Sequence, residues 1–129
     1  SMTLRENLMY GNKISKSDEE IIEMIHKFNL FEDKVKVDLN KKVDNKSLSS
    51  GQMQKIAFMR VLLSDADVLF LDESTSNLDE ETKELIFNLL LNNTLTMINS
   101  THDIDSFKNY TSHYKIELSK GERLLKRIV

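Results

Sequence analysis

Apolar residues in this chain fall into helical stripes over the first half and into short continuous runs over the second. Thr3 to Asn12 carries one apolar patch (Leu4, Leu8, Met9, Tyr10) and closes at Gly11. Ser17-Asp18-Glu19-Glu20 has the form of a capping box, in which Ser17 and Glu20 satisfy free amides at a helix start. Behind it Ile21, Ile22, Met24, Ile25 and Phe28 share one helical face. Phe31 to Val37 is expected to form a second, shorter helix, and Asn40 to Lys46 a loop. Gly51 to Leu63 is strongly apolar with no breaker after Gly51, which predicts a largely buried helix. Val68 to Leu71 is an unbroken apolar run of strand length, the kind that suits a parallel strand covered on both faces. Asp79 to Leu91 is helical, with Leu78, Thr82, Leu85, Ile86, Leu89 and Leu90 on one face. Leu95 to Ser100 reads as a second buried strand, Asp103 to Asn109 as a short helix, and Tyr114 to Leu118 as the next strand. Ser119-Lys120-Gly121 then turns the chain into Arg123 to Val129. This order, helical first and then alternating strand and helix, predicts an α/β fold with a small helical subdomain in front.

Composition narrows the classes. A chain of 129 residues, 40% hydrophobic and 30% charged, is expected to be soluble, with one real core. A net charge of −3 argues against a nucleic-acid binder driven by phosphate attraction, and Asp38 and Asp44 interrupt the lysines between Lys34 and Lys46. With no cysteine there is neither a disulfide nor a thiolate metal site. No apolar run is long enough to span a bilayer, and the polar first residues, with Arg5 and Glu6, do not form a signal peptide. A reducing, cytosolic setting is the expectation.

Four places carry candidate chemistry. An apolar strand ending in Asp72-Glu73 puts two carboxylates at the carboxyl edge of a sheet, where open α/β sheets bind ligands. One carboxylate can hold Mg²⁺ through water, and the next can orient and deprotonate an attacking water. The bland reading is a strand that ends in a polar turn. Ser49-Ser50-Gly51-Gln52 is a second capping box, with Ser49 as N-cap and Gln52 reaching back. The same free amides and hydroxyl form an anion site, and Gly51 lets a phosphate approach the backbone. His102 follows a buried strand at the sheet edge that holds Asp72 and Glu73. Asp79 is most simply an N-terminal helix residue favoured by the dipole. His26 and His113 receive no role.

In this order and at these distances the pieces resemble the nucleotide-binding domain of ABC transporters, exporter type. Leu48 to Gln52 resembles the signature motif, Val68 to Glu73 Walker B, Ser76 to Asp79 the D-loop, and His102 the switch histidine of the H-loop. Thr3-Leu4-Arg5-Glu6-Asn7-Leu8 with Tyr10-Gly11 resembles the stretch after the Q-loop of exporter-type members, and Lys115 through Gly121 their closing strands. Ser50 stands where the family more usually has glycine. The resemblance implies a P-loop NTPase-like parallel sheet, incomplete here, with residues 1–64 as the helical signature subdomain and 65–129 as the C-terminal part of the catalytic core. It implies ATP and Mg²⁺ as ligands of the complete domain. Ser49 and the Gly51 amide would contact the γ-phosphate of an ATP held by a second nucleotide-binding domain, supported by Gln52. Asp72 would help place Mg²⁺, Glu73 would be the general base, and His102 would hold the γ-phosphate. Asp79 would cross the dimer interface. The implied partners are that second domain and a transmembrane domain, at the cytoplasmic side of the cell membrane, with no nucleic acid.

A phosphate-cradling loop needs glycines and a Gly-Lys-Ser/Thr ending before a helix. Gly11, Gly51 and Gly121 are the only glycines, and none precedes a lysine, so no Walker A is present. The glutamines are Gln52 and Gln54, so the Q-loop glutamine is absent too. The expectation is a C-terminal fragment beginning just after the Q-loop, inactive alone. In the family the strand leading into Walker A lies beside the strand preceding His102; without it, open edges and an uncovered apolar surface predict self-association, segment swapping or rearranged strands. A non-transport ABC ATPase of the chromosome-maintenance or DNA-repair kind is opposed by the Thr3 to Gly11 segment and by the lack of heptads. A non-catalytic dimerisation module is opposed by intact Glu73 and His102.

Overall fold

The computed structural model describes residues 2–32, 35–75, 78–93, 95–103 and 109–129. Strand β1 (Met2–Thr3) leads into helix α1 (Leu4–Leu8), and α2 spans Asp18–Lys27. A short β2 (Lys42–Val43) pairs antiparallel with β1. Then come α3 (Ser50–Leu63), β3 (Val68–Asp72), α4 (Glu80–Leu91), β4 (Thr96–Ser100), β5 (Tyr114–Ser119) and β6 (Glu122–Arg127). Strands β3 and β4 are parallel, in register from Val68 opposite Thr96 to Asp72 opposite Ser100. Strands β5 and β6 form an antiparallel hairpin closed by Lys120 and Gly121, both with positive φ (50° and 81°). Two such residues make the turn that matches the right-handed twist of a hairpin, and Gly121 takes that conformation without strain. The fold is α/β with a parallel pair. No helix among the described residues is long and apolar enough to cross a membrane.

Local chemistry explains the helix starts. Ser17 and Ser49 are N-caps with full capping boxes to Glu20 and Gln52, as the sequence suggests. Thr3 and Glu6 form a third, which the sequence reading passed over. Helix α2 ends in a Schellman turn: Asn29 adopts φ 45°, its amide bonds to the His26 carbonyl, and the Leu30 amide to that of Ile25. Leu30 and Ile25 are both buried, as that motif's hydrophobic contact requires.

The core gathers Leu4 and Leu8, Ile21, Ile25 and Phe28, Ile56, Phe58, Met59 and Leu63, Leu69 and Leu71, and Ile86, Phe87 and Leu90. No described residue after Leu90 is buried. The expectation that β3 is covered on both faces is therefore corrected. Leu69 and Leu71 point into the core, while Val68 and Phe70 face outward, Phe70 at 73% exposure. Likewise β4 is not a buried strand; its residues alternate between exposed and half-buried. Helix α3 buries one side and exposes Ala57. Residues 31, 32 and 35–37 are not helical, the Val35 amide donates to the Glu32 carbonyl, and residues 33 and 34 lie outside the described residues. So short a segment lacks the length to offset the cost of helix nucleation. The loop expected over Asn40 to Lys46 contains β2. Of the short helix expected at 103–109, residues 104–108 lie outside the described residues.

Acid is expected to loosen the helix starts. The Thr82 amide and then its hydroxyl hold the Asp79 carboxyl below its ordinary 3.8, and bonds from Thr3 hold Glu6 below its ordinary 4.5. Each group binds its proton more weakly folded than unfolded. Its contribution is therefore complete above the ordinary value and is lost as pH falls through the lower folded value. Helicity by circular dichroism should fall below about pH 4. Asp79→Asn, which caps equally well but does not titrate, should shift that transition to lower pH; an unchanged acid midpoint would count against this account.

Candidate functional site

Helix α3 begins with a polar corner. The Ser49 Oγ accepts from the Gln52 amide at 3.1 Å, and Gln52 Oε1 accepts from the Ser49 amide at 2.9 Å. Of the amides at this helix start, those of Ser50 and Gly51 have no acceptor among the described residues. No acidic residue lies in the first turn of α3, whereas α1, α2 and α4 each carry at least one there. The positive end of the α3 dipole is thus left uncompensated, which suits an anion. A Cβ on Gly51 would meet only the Ser49 Oγ, at 4.0 Å, and Ser50 is exposed. The space above the corner is open. Its position is fixed from behind: Gln52 Nε2 donates to the Leu30 carbonyl at 3.1 Å and Lys55 Nζ to the Asn29 carbonyl at 2.9 Å. The Schellman turn of α2 therefore serves as the seat of α3.

At the carboxyl end of the parallel pair lies a second group. Asp72, the last residue of β3, is exposed. Glu73 has φ 47°, an unusual conformation for a side-chain-bearing residue, and its amide donates to the Ser100 carbonyl at 2.9 Å. Such strain costs roughly 1–3 kcal/mol and concentrates at functional positions. His102 Nε2 lies 2.8 Å from Glu73 Oε1, with side chains 93% and 49% exposed. An exposed pair like this adds little stability. The result is a carboxylate at a strand tip with an imidazole beside it, both open to solvent. The Thr101 Oγ1 accepts from the Asp103 amide at 3.0 Å and shapes the turn that carries His102.

Asp79 is the N-cap of α4 through Thr82. It shares with Lys55 of α3 an open groove of about 500 Å³ that Asn29, Thr82 and Leu85 also line. Ser76 and Asn77, the start of the expected D-loop, lie outside the described residues. The structure thus brings Glu73, His102 and Asp72 to one edge and Asp79 beside α3. No hydrogen bond among the described residues joins the Ser49–Gln52 corner to the Glu73–His102 pair. No cluster of three or more carboxylates or imidazoles among the described residues could hold a metal by protein ligands alone. Asp72 offers a single carboxylate, which suits Mg²⁺, an ion that keeps several waters and takes other ligands from phosphates. Sequence reasoning missed Lys83, buried on α4 with its Nζ 2.8 Å from Glu80 Oε1 and 3.5 Å from Asp103 Oδ2. The signal was present: Lys83 sits three residues before Ile86 and seven before Leu90, on the apolar stripe.

The sequence is similar to known proteins. The profile described as ABC transporter matches residues 1–76. The glutathione/L-cysteine transport system ATP-binding/permease protein CydC of Haemophilus influenzae is 35% identical over 116 residues, 85% of this chain and 20% of that protein. The transport/processing ATP-binding protein ComA of Streptococcus pneumoniae is 40% identical over 102 residues, 74% of this chain and 14% of that protein. The lipoprotein-releasing system ATP-binding protein LolD of Buchnera aphidicola is 38% identical over 115 residues, 85% of this chain and 47% of that protein. The chain therefore spans less than half the length of each of these relatives. With the profile match covering more than half of the chain, this polypeptide belongs to the ABC transporter family.

Proposed function

We propose that this chain supplies the signature serine, the catalytic carboxylate and the switch histidine of an ATP-hydrolysing domain in an ABC exporter. One observation carries the reading: the strained Glu73 at the tip of β3, its Oε1 2.8 Å from His102 Nε2 after the parallel β4. A carboxylate there can take the proton of an attacking water, and an imidazole beside it can hold the phosphoryl group under attack. Magnesium, bound with the nucleotide, would neutralise charge on the phosphate oxygens, and Asp72 is the residue placed to meet it. The Ser49 hydroxyl and the Ser50 and Gly51 amides would grip the terminal phosphate of an ATP whose remaining phosphates lie on a second nucleotide-binding domain. That division accounts for a corner and a strand tip that do not bond to each other within one chain. Asp79, at the start of α4 beside Lys55, would lie at the boundary with that second domain. Residues 1–64 would form the signature-bearing helical part and 65–129 part of the catalytic core. A transmembrane partner at the cytoplasmic side of the membrane, and export as the direction, are supported by the Thr3 to Gly11 segment. The relatives named as ATP-binding/permease and transport/processing proteins support the same reading.

The test separates a helix cap from a phosphate grip. Gly51→Ala adds a methyl into open space inside a helix, so α3 should gain up to about 1 kcal/mol. The same methyl would obstruct a phosphate at the Ser50 and Gly51 amides. ATP-dependent association of the chain with a nucleotide-binding domain that carries its own Gly-Lys-Ser/Thr loop should be lost in Gly51→Ala, while thermal stability holds or rises. Undiminished association in that variant would reduce Ser49–Gln52 to a cap.

A further inference from the structure

We propose that Lys83 is a positioning residue, its ammonium tying α4 to Asp103 and thereby holding His102 against Glu73. The contacts are direct. Lys83 leaves the apolar stripe of α4 only 8% exposed, with Nζ at 2.8 Å from Glu80 Oε1 and 3.5 Å from Asp103 Oδ2. Glu80 follows Asp79, the N-cap of α4, and Asp103 follows His102. The tether therefore runs from the start of α4 to the residue beside the imidazole. A lysine carries its charge on a buried stem only where it has partners. Here the bond from Glu80 first, and Asp103 after it, raise the Lys83 pKa, so the ammonium stays charged throughout the neutral range. The exposed His102–Glu73 contact is weak on its own, so its geometry needs support from a buried group. Lys83 is the buried charge nearest in sequence contact to that turn, reaching it through Asp103. The functional meaning of the tether rests on the roles given above to Glu73 and His102, whereas the tether itself is measured without nucleotide.

The experiment uses nitrogen-15 histidine spectra of the full chain. Its three histidines, His26, His102 and His113, give one reporter and two internal references. Lys83→Met and Asp103→Ala should each move the His102 ring nitrogens to the positions of an imidazole free in solvent, with loss of the shift that marks its approach to Glu73. Lys83→Arg should keep that shift, Glu80→Gln should keep it, and His26 and His113 should not move in any variant. A lysine that merely stabilised α4 would leave His102 unaffected. The inference is overturned if His102 is unchanged in Asp103→Ala, or if Lys83→Arg loses the shift as Lys83→Met does. Asp103 is exposed, so Asp103→Ala decides the matter even if Lys83→Met fails to fold. Because no nucleotide enters the measurement, a negative result leaves the roles of Glu73 and His102 standing, and a chain without ATP chemistry leaves the tether standing.

Discussion

Glu73→Gln is expected to lower ATP turnover on the order of 100- to 10,000-fold in any complete nucleotide-binding domain that contains this chain. That factor corresponds to about 3–5 kcal/mol of transition-state stabilisation. The substitution isolates chemistry from folding. Glutamine keeps the length of the side chain and an oxygen at the position of Glu73 Oε1, 2.8 Å from His102 Nε2. It meets the same backbone cost at φ 47°. Glu73 is half exposed and its contact with His102 adds little to stability, so melting should be unchanged. What is lost is the ability to take a proton from water, since an amide is not a base near neutral pH. ATP binding should persist, because in the proposed roles Glu73 serves the reacting step and the grip on phosphates lies elsewhere. Phosphate release at the unsubstituted rate by the glutamine variant would remove Glu73 from the mechanism. These 129 residues alone should show no turnover at all, since none of the three glycines precedes a lysine. Magnesium-dependent hydrolysis by the isolated chain that Glu73→Gln abolishes would refute that expectation.

Much of this site is legible in the sequence because its parts are local. A capping box needs four consecutive residues, so Ser17–Glu20 and Ser49–Gln52 announce their helices without reference to the rest of the chain. Asp79 before an apolar stripe gives the start of α4, and Lys120-Gly121 the hairpin turn. The meeting of Glu73 with His102 is less local. It follows once Val68–Leu71 and the run ending at Ser100 are taken as parallel neighbours, because the register then sets Asp72 opposite Ser100. Other features depend on distant partners. Strand β2 is two residues long and exists because Met2 and Thr3 lie across from it, which no pattern within residues 40–46 reveals. The end of α2 depends on Asn29 taking a left-handed conformation so that Leu30 can turn back onto Ile25. The four apolar residues from Val68 to Leu71 show what both faces of a strand could bury. Which face is covered depends on what packs there, and in this chain Phe70 is left in solvent.

That uncovered face sets the second large effect. The purified chain should sediment well above its monomer mass of 15.0 kDa. Val68, Phe70 and Ile98 line the outward side of the β3–β4 pair at 47%, 73% and 51% exposure. Tyr114, Ile116 and Leu118 lie along one face of β5, with Leu125 opposite Ile116. Parallel strands are stable in water only when both faces are covered, and here the described helices cover one. The strands also end in open ladders, because among the described residues β4 pairs only with β3, and β5 only with β6. Fully burying an aliphatic or aromatic side chain contributes roughly 1.5–3 kcal/mol, and little more than half of that remains to be gained at these exposures, so three from each of two copies could supply roughly 5–10 kcal/mol. That is of the order of the 4–15 kcal/mol or so that association costs, so a modest further contribution from edge pairing decides in favour of assembly. Phe70→Lys with Ile98→Lys should return the chain toward a monomer in light scattering without loss of helicity, since neither side chain belongs to the core. Charge on an outward face and beside an open edge is also how natural sheets avoid edge pairing. A monodisperse monomer of the unsubstituted chain would mean that the outward face of β3 is tolerated in water. The open edge of β4 could then not be counted as a place where another strand adds.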